Sequence, residues 1–301
     1  MKAGLIGLGK TSLNYLKGFT LNKFFTLTAV CDTNPSCLGK ESYSSYPFFN
    51  NNNDIMNISD LDFVIVCTPS SRHYEIIKQA FEHHLNVVVD RPLTLSRKEM
   101  NTLFDLKEKY GLTLYTLFHW QYGEEVRKFN KFFDINKVTR IDVSVEEPYS
   151  LDGKNIKEDR ISLGGSFIDS AFNTLSMLKL WLPFDEVKFV ERHIINAENV
   201  ELPIYSRVRY IIDGIEVSIE TDWKIGNNKK ITYMVYDGKP LTINHSEQKI
   251  IFGDWEYTFD AMKRKERHYY NFFDLYQGES NIEDTKKIHE AVFIGDSKAH
   301  D

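Results

Sequence analysis

The sequence predicts an α/β fold in two parts: a parallel sheet with crossover helices over residues 1–118, and an α+β half with a large, mostly antiparallel sheet over residues 119–301. Three observations predict it. Through the first 118 residues short apolar runs alternate with helix-period patterns, as strands joined by crossover helices do. Beyond about Val138 strand-like runs follow one another across turn residues such as Asp213-Gly214 and Asp237-Gly238, as in antiparallel hairpins. The length of 301 residues also exceeds that of one usual domain.

In chain order, Ala3 to Ile6 reads as a short buried strand and Thr11 to Phe19 as the helix after it. Phe25 to Cys31 is a second strand, and a third is expected near Tyr46 to Phe49, before the loop-tip run Asn50 to Asn53. Asp62 to Cys67 is a further strand ending at Thr68-Pro69. Ser70 or Ser71 is expected to cap the next helix, whose Ile76, Ile77, Ala80 and Phe81 share a face. Leu85 to Val89 follows as a strand. Ser96-Arg97-Lys98-Glu99 is a capping box opening a helix that Gly111 stops. In the second half, Ile204–Ile212, Ile215–Trp223, Ile231–Tyr236, Leu241–Ile243 and Ile250–Phe252 read as strands. Strict alternation in Ile215 to Glu220 predicts one covered sheet face and one facing water or a second subunit. The cluster Lys263 to Arg267 reads as a solvated helix face.

A formal charge of -6 gives no global attraction to phosphate backbones or anionic lipid, so neither nucleic acid nor membrane is expected as a partner. Three cysteines, Cys31, Cys37 and Cys67, make no disulfide framework and suit a reducing compartment. No stretch approaches the roughly 20 apolar residues of a membrane span, and the glycines at positions 4 and 7 interrupt any signal-peptide core. A cytoplasmic location is expected.

Gly7-Leu8-Gly9-Lys10-Thr11-Ser12 directly follows the first strand and opens a helix, where a dinucleotide fingerprint places pyrophosphate on the helix N-terminus. The first glycine permits the tight turn and the second lets phosphate approach backbone. The third position only eases packing, so Ser12 is tolerable there. Asp32 ends the second strand, at the distance from which a carboxylate reaches the adenosine ribose hydroxyls. Its charge opposes a 2′-phosphate, and no arginine stands in the four residues after it. NAD is therefore expected over NADP, on a Rossmann domain. The plainer reading is a structural glycine turn with Asp32 as a helix cap before Pro35.

The strand Asp62 to Thr68-Pro69, His73 after it, and Asn86-Val87-Val88-Val89-Asp90-Arg91-Pro92 together resemble the Gfo/Idh/MocA oxidoreductase family. Its members carry a strand ending in Thr-Pro, a nearby histidine and a Glu-Lys-Pro motif. The likeness continues at Gly164-Gly165, Asp169 and Asn173, where members have glycines, an aspartate, and a histidine four residues on. Two departures stand out: Arg91 replaces the motif lysine and Asn173 the histidine. Asp169 followed by Asn173, with Leu117 to Tyr122 and Glu146-Glu147, looks most like the aldose 1-dehydrogenase branch. The resemblance implies coenzyme contacts from Gly7, Gly9, Lys10, Thr11, Ser12, Asp32, Thr68, Pro69, His73, Asp90 and Arg91, with His119, Gln121 and Glu147 at the substrate. It also implies a homodimer or homotetramer built through the second sheet.

Hydride transfer needs a group that takes the hydroxyl proton as a carbonyl forms. Asp169 and Asn173, at i and i+4 of an otherwise apolar helix, share one side and can grip one hydroxyl-bearing edge. Their bland reading is a loop cap and a backbone tie. Arg91 stays protonated, so it can orient and polarise but not shuttle protons. The expected roles are Asp169 as base, Arg91 as oxyanion stabiliser and Asn173 as hydroxyl partner, with His119 as a reserve acid/base, acting on a sugar or sugar derivative. For His73, coenzyme contact and packing beneath the site are both open. Cys67 is expected to be an inert buried thiol, and the His83-His84 pair lacks a third ligand, so no metal is expected. Two alternatives remain: a reductase of a non-sugar carbonyl or imine, and a sensor that binds NAD without turnover.

Overall fold

The computed structural model describes residues 1–37, 41–259 and 262–296. Six strands, β1 (Lys2–Ile6), β2 (Thr26–Cys31), β3 (Phe48–Phe49), β4 (Phe63–Val66), β5 (Asn86–Asp90) and β6 (Leu114–Leu117), form one sheet. Its order is β3-β2-β1-β4-β5-β6, and every pairing is parallel. This is the doubly wound order, in which the direction of winding reverses between β1 and β4 and a crevice opens at their carboxyl ends. The strands are buried on both faces, which explains why they read as continuous apolar runs rather than as alternation.

The helices α1 (Ser12–Leu21), α2 (His73–Glu82) and α3 (Arg97–Tyr110) supply the crossovers. Ser96 caps α3 by accepting from the Glu99 N–H at 3.3 Å, and Gly111 ends it in the left-handed conformation, as the sequence predicts. The reciprocal half of the capping box differs: the Glu99 carboxylate takes the Thr94 hydroxyl. Neither Ser70 nor Ser71 caps α2. Both lie in a 3-10 turn, Ser70–Arg72, and α2 starts without a side-chain cap.

The chain divides into two units, Met1–His119 with Lys265–Lys286, and Trp120–Arg264 with the segment from Lys287. The helix Arg264–Leu275 thus lies largely in the first unit, whereas the sequence suggested one cut at 118/119. Its aromatic face decides this. Tyr269 meets Tyr15 edge-on at 4.8 Å, and Phe273 lies on Phe19 at 4.6 Å and Phe25 at 5.4 Å. Aromatic area of that size outweighs sequence order. In the basic cluster Lys263 and Lys265 are exposed, but Arg264 is half-buried over the Trp120 ring, and burial lowers its pKa.

The second unit carries an eight-stranded sheet, β14-β13-β12-β11-β7-β10-β9-β8. Its members are β7 (Val138–Glu146), β8 (Val187–Asn196), β9 (Pro203–Ile212), β10 (Ile215–Asp222), β11 (Lys229–Tyr236), β12 (Lys239–Asn244), β13 (Lys249–Phe252) and β14 (Trp255–Thr258). All pairings are antiparallel except β7 with β10. Asp213-Gly214 and Asp237-Gly238 adopt positive φ at both positions, the geometry of tight hairpin turns. The helix α4 (Ser166–Lys179) packs on β9 and β10. Val217 and Ile219 of β10 are buried, while Ser218 and Glu220 line the opposite, open face, together with Arg207 and Arg209.

Candidate functional site

Leaving β1, the chain turns at Gly7, whose φ of +94° is a left-handed value and whose Cβ, if present, would stand 2.6 Å from the Cys67 carbonyl. Only glycine fits there. Gly9 differs: its backbone lies outside that region and a Cβ would meet nothing within 4 Å. The space above Gly9 is open, as close approach of a phosphate to backbone requires. Ser12, at the third fingerprint position, is buried and useful, since its hydroxyl donates to the Gly9 carbonyl at 2.5 Å and lies 2.6 Å from the Tyr43 hydroxyl. Lys10 is exposed and Thr11 precedes α1 without a capping bond.

Asp32 stands just past β2. Its two carboxylate oxygens accept the N–H groups of Leu8 at 2.7 Å and Asn34 at 2.8 Å, so the acid is tied to the glycine turn itself. Each oxygen keeps a second lone pair for a hydroxyl donor. Gly7, Gly9, Asp32, Thr68 and Pro69 line one cavity of about 210 Å³ at the carboxyl ends of β1, β2 and β4. These groups fit an adenosine diphosphate moiety: open backbone for phosphate and a fixed acid for ribose. Sequence reasoning missed Thr33, Asn52, Arg72 and Ile76, which line the same cavity. No motif marks them, because they come from loops and helix starts that the topology alone brings together.

His73 is buried, with Nδ1 2.7 Å from the Pro92 carbonyl and Nε2 2.9 Å from the Thr68 carbonyl. Both ring nitrogens face backbone, so the histidine ties the loop after β4 to the loop after β5 and packs beneath the site. Burial lowers its pKa more than the two carbonyls raise it. Cys67 also lines the cavity, yet burial and then the neighbouring Asp90 push its thiol pKa up, which removes it as a nucleophile. Cys31 is pushed up to about 12 in the same way, first by burial.

Asp90 receives the Tyr15 hydroxyl at 3.0 Å and the Tyr269 hydroxyl at 3.4 Å, and burial raises its pKa despite those bonds and the adjacent Arg91. A carboxyl whose folded pKa is raised stabilises the fold most when protonated. That contribution is complete below the ordinary carboxylate pKa and is lost as pH rises through the folded value. Asp90→Asn keeps an oxygen for both tyrosines. It is therefore expected to melt above the wild type at neutral pH, with the gap closing in acid. Thermal melts across pH check this, and a variant that melts lower at neutral pH would contradict it.

In the second unit Gly164 and Gly165, at φ +80° and +97°, lead into α4, and a Cβ on Gly165 would stand 2.9 Å from Pro203. The buried hydroxyls of Ser166, Ser206 and Thr221 bond in a chain and fix the start of the helix on β9 and β10. Asp169 is 8% and Asn173 3% exposed. The Asn173 side-chain oxygen is buried without a hydrogen-bond partner among the described residues, an arrangement that costs about 1–3 kcal/mol unless a ligand supplies a donor. Gln121 spends its amide N–H on the Ser176 carbonyl at 2.9 Å, so it supports α4. Glu147 lies 3.4 Å from the ammonium of Lys230, a buried lysine that nothing in the sequence singles out. In the first unit His119 is 9% exposed and stacks on Tyr269 at 5.9 Å. Among the described residues no three His, Cys, Asp or Glu side chains are grouped to hold a metal, and no helix is long and apolar enough to cross a membrane.

Residues 1–118 match the model of the Gfo/Idh/MocA oxidoreductases, an oxidoreductase family with an NAD-binding Rossmann fold. This part of the chain is similar to that family, over 118 of the 301 residues. A curated relative, the uncharacterized oxidoreductase YhhX of Escherichia coli, is 28% identical over 117 residues, 38% of this chain and 34% of its own length. The chain thus spans about a third of that relative. The myo-inositol 2-dehydrogenase of Thermotoga maritima is 21% identical over 99% of this chain and 90% of its own. The solved structure of KijD10, a 3-ketoreductase from Actinomadura kijaniata in complex with NADP, superposes with a TM-score of 0.79 at 16% identity, covering 97% of this chain and 94% of that one. That likeness extends the shared fold over both units. Beside the uncharacterized YhhX, these similar proteins are an inositol dehydrogenase and a 3-ketoreductase, so the likeness does not single out the aldose 1-dehydrogenase branch.

Proposed function

We propose that the protein is a nicotinamide-dependent oxidoreductase that interconverts a secondary alcohol and a ketone, or a lactol and a lactone, on a sugar or cyclic polyol. The observation that carries the reading is the cavity over the glycine turn, open above Gly9 and rimmed by Asp32. When bound, the nicotinamide ring accepts or returns the hydride. Gly7, Gly9 and the N-terminus of α1 hold the pyrophosphate, and Asp32 takes the adenosine ribose hydroxyls. Because Asp32 opposes a 2′-phosphate, NAD is favoured over NADP, although the KijD10 structure holds NADP.

Asp169, directly or through a water, accepts the hydroxyl proton. Asn173 donates its amide N–H to the oxygen of the reacting hydroxyl, leaving its own unmatched oxygen for a neighbouring hydroxyl of the substrate, and Arg91 steadies the developing oxyanion. Glu147, held by Lys230, and His119 contribute to substrate placement. The aldose 1-dehydrogenase branch remains a substrate proposal beside the inositols. With three free, buried cysteines we place the enzyme in the cytoplasm, and we propose a homodimer or homotetramer through the open sheet face, where Arg209 pairs with Glu191 and Arg140 with Asp142. Arg91 in place of lysine favours one second reading, a coenzyme-binding sensor. Calorimetric titration with NAD and NADP, followed by an absorbance screen of aldoses and inositols, tests both. Binding with turnover supports the dehydrogenase, binding without turnover the sensor, and no binding overturns the proposal.

A further inference from the structure

Arg72 lines the coenzyme cavity together with Asp32, Thr33 and Ile76, yet none of the motifs that mark the site includes it. It sits at the end of the 3-10 turn that follows Thr68-Pro69, with its backbone N–H donating to the Pro69 carbonyl at 2.9 Å. Its side chain is exposed and has no ion pair or hydrogen bond among the described residues. Among the described residues the one other charged group lining the cavity is Asp32, whose oxygens are oriented by Leu8 and Asn34 rather than by the arginine. A guanidinium left unengaged in a concave, motif-bearing site has three possible partners on the dinucleotide. The pyrophosphate is served by the backbone N–H groups of the glycine turn. A 2′-phosphate is disfavoured by the Asp32 carboxylate, which faces the same position. What remains is the adenine ring, whose face a planar, weakly hydrated guanidinium covers well. Ile76, one turn further along α2, adds an apolar wall for the same ring.

We propose that Arg72 is a coenzyme-binding residue whose guanidinium lies along the adenine face of the dinucleotide. The inference rests on the coenzyme-binding part of the reading above and goes beyond it by naming an adenine anchor outside the family's motifs. The contact is sequence-local to the turn after β4, so it does not depend on the chemistry at Asp169.

The test is calorimetric affinity of the full chain for NAD, NADP, ADP-ribose and nicotinamide mononucleotide, in the wild type and in Arg72→Ala and Arg72→Lys. A stacked cation contributes about 0.5–2 kcal/mol, so Arg72→Ala is expected to weaken NAD and ADP-ribose alike by roughly three- to thirtyfold. Mononucleotide binding stays unchanged, because that ligand lacks adenine. Arg72→Lys, which keeps the charge and loses the plane, recovers only part of the loss. An unaltered melting temperature is expected, since the side chain supports nothing in the fold. Unchanged NAD affinity in Arg72→Ala overturns the proposal. So does a loss confined to NADP, which would assign the guanidinium to the 2′-phosphate. Failure of the wild type to bind any of these ligands would instead defeat the coenzyme reading itself.

Discussion

Asp169→Asn is expected to lower kcat by roughly 10²–10⁴-fold while leaving the affinity for NAD unchanged. The substitution is nearly isosteric, so packing in α4 survives, but an amide cannot take a proton at any working pH. The surroundings make a solubility role untenable for this carboxylate: twelve of the fourteen residues of α4 are buried, and Asp169 is among them. The same helix holds the Asn173 oxygen, which is desolvated and unmatched, four residues further on. A natural helix core rarely keeps such a group without a use for it. If Asp169 instead serves only the packing of its helix, the variant should lose melting temperature and keep kcat. Steady-state kinetics and a thermal melt on one preparation separate the two, and a rate within about twofold of wild type removes the aspartate from proton transfer.

What the sequence showed and what it hid follow from the range of the interactions concerned. Parallel strands such as β4 and β5 are buried on both faces, so their apolar runs were readable, and the Asp-Gly turns carry their own backbone requirement. The strand β8 went unread because it is an edge: nearly all of its ten residues are exposed, Phe189, Val190, Ile194 and Ile195 among them, and no alternation marks it. β14 was missed for the same reason. The parallel pairing of β7 with β10 depends on which strands meet across about 75 residues of chain, which no local pattern encodes. At the site, Gly7, Gly9 and Asp32 were legible because each is required by a backbone or charge constraint. Arg72 and Asn52 were not, since nothing local distinguishes a cavity-lining side chain from a solvated one. The two carbonyls that meet the ring nitrogens of His73, those of Thr68 and Pro92, come together only in the tertiary fold.

The contrast between the two glycines of the turn gives the sharpest test of the coenzyme site. Gly9→Val is expected to weaken NAD binding on the order of a hundredfold with a melting temperature close to wild type. The residue is exposed, its backbone is compatible with a side chain, and the added methyls would enter space that no protein atom occupies within 4 Å of the Cβ. That space is where phosphate oxygens must come to reach the turn's N–H groups. Hydrogen bonds to charged groups contribute about 1.5–3 kcal/mol each, so displacing one or two accounts for the loss. Gly7→Ala behaves oppositely. Its left-handed φ and the Cys67 carbonyl 2.6 Å from the new Cβ make it a folding defect, costing more than about 1 kcal/mol before any ligand is added. A Gly9→Val protein that binds NAD as tightly as wild type would mean that the pyrophosphate lies elsewhere, and the assignment of the glycine turn would fail with it.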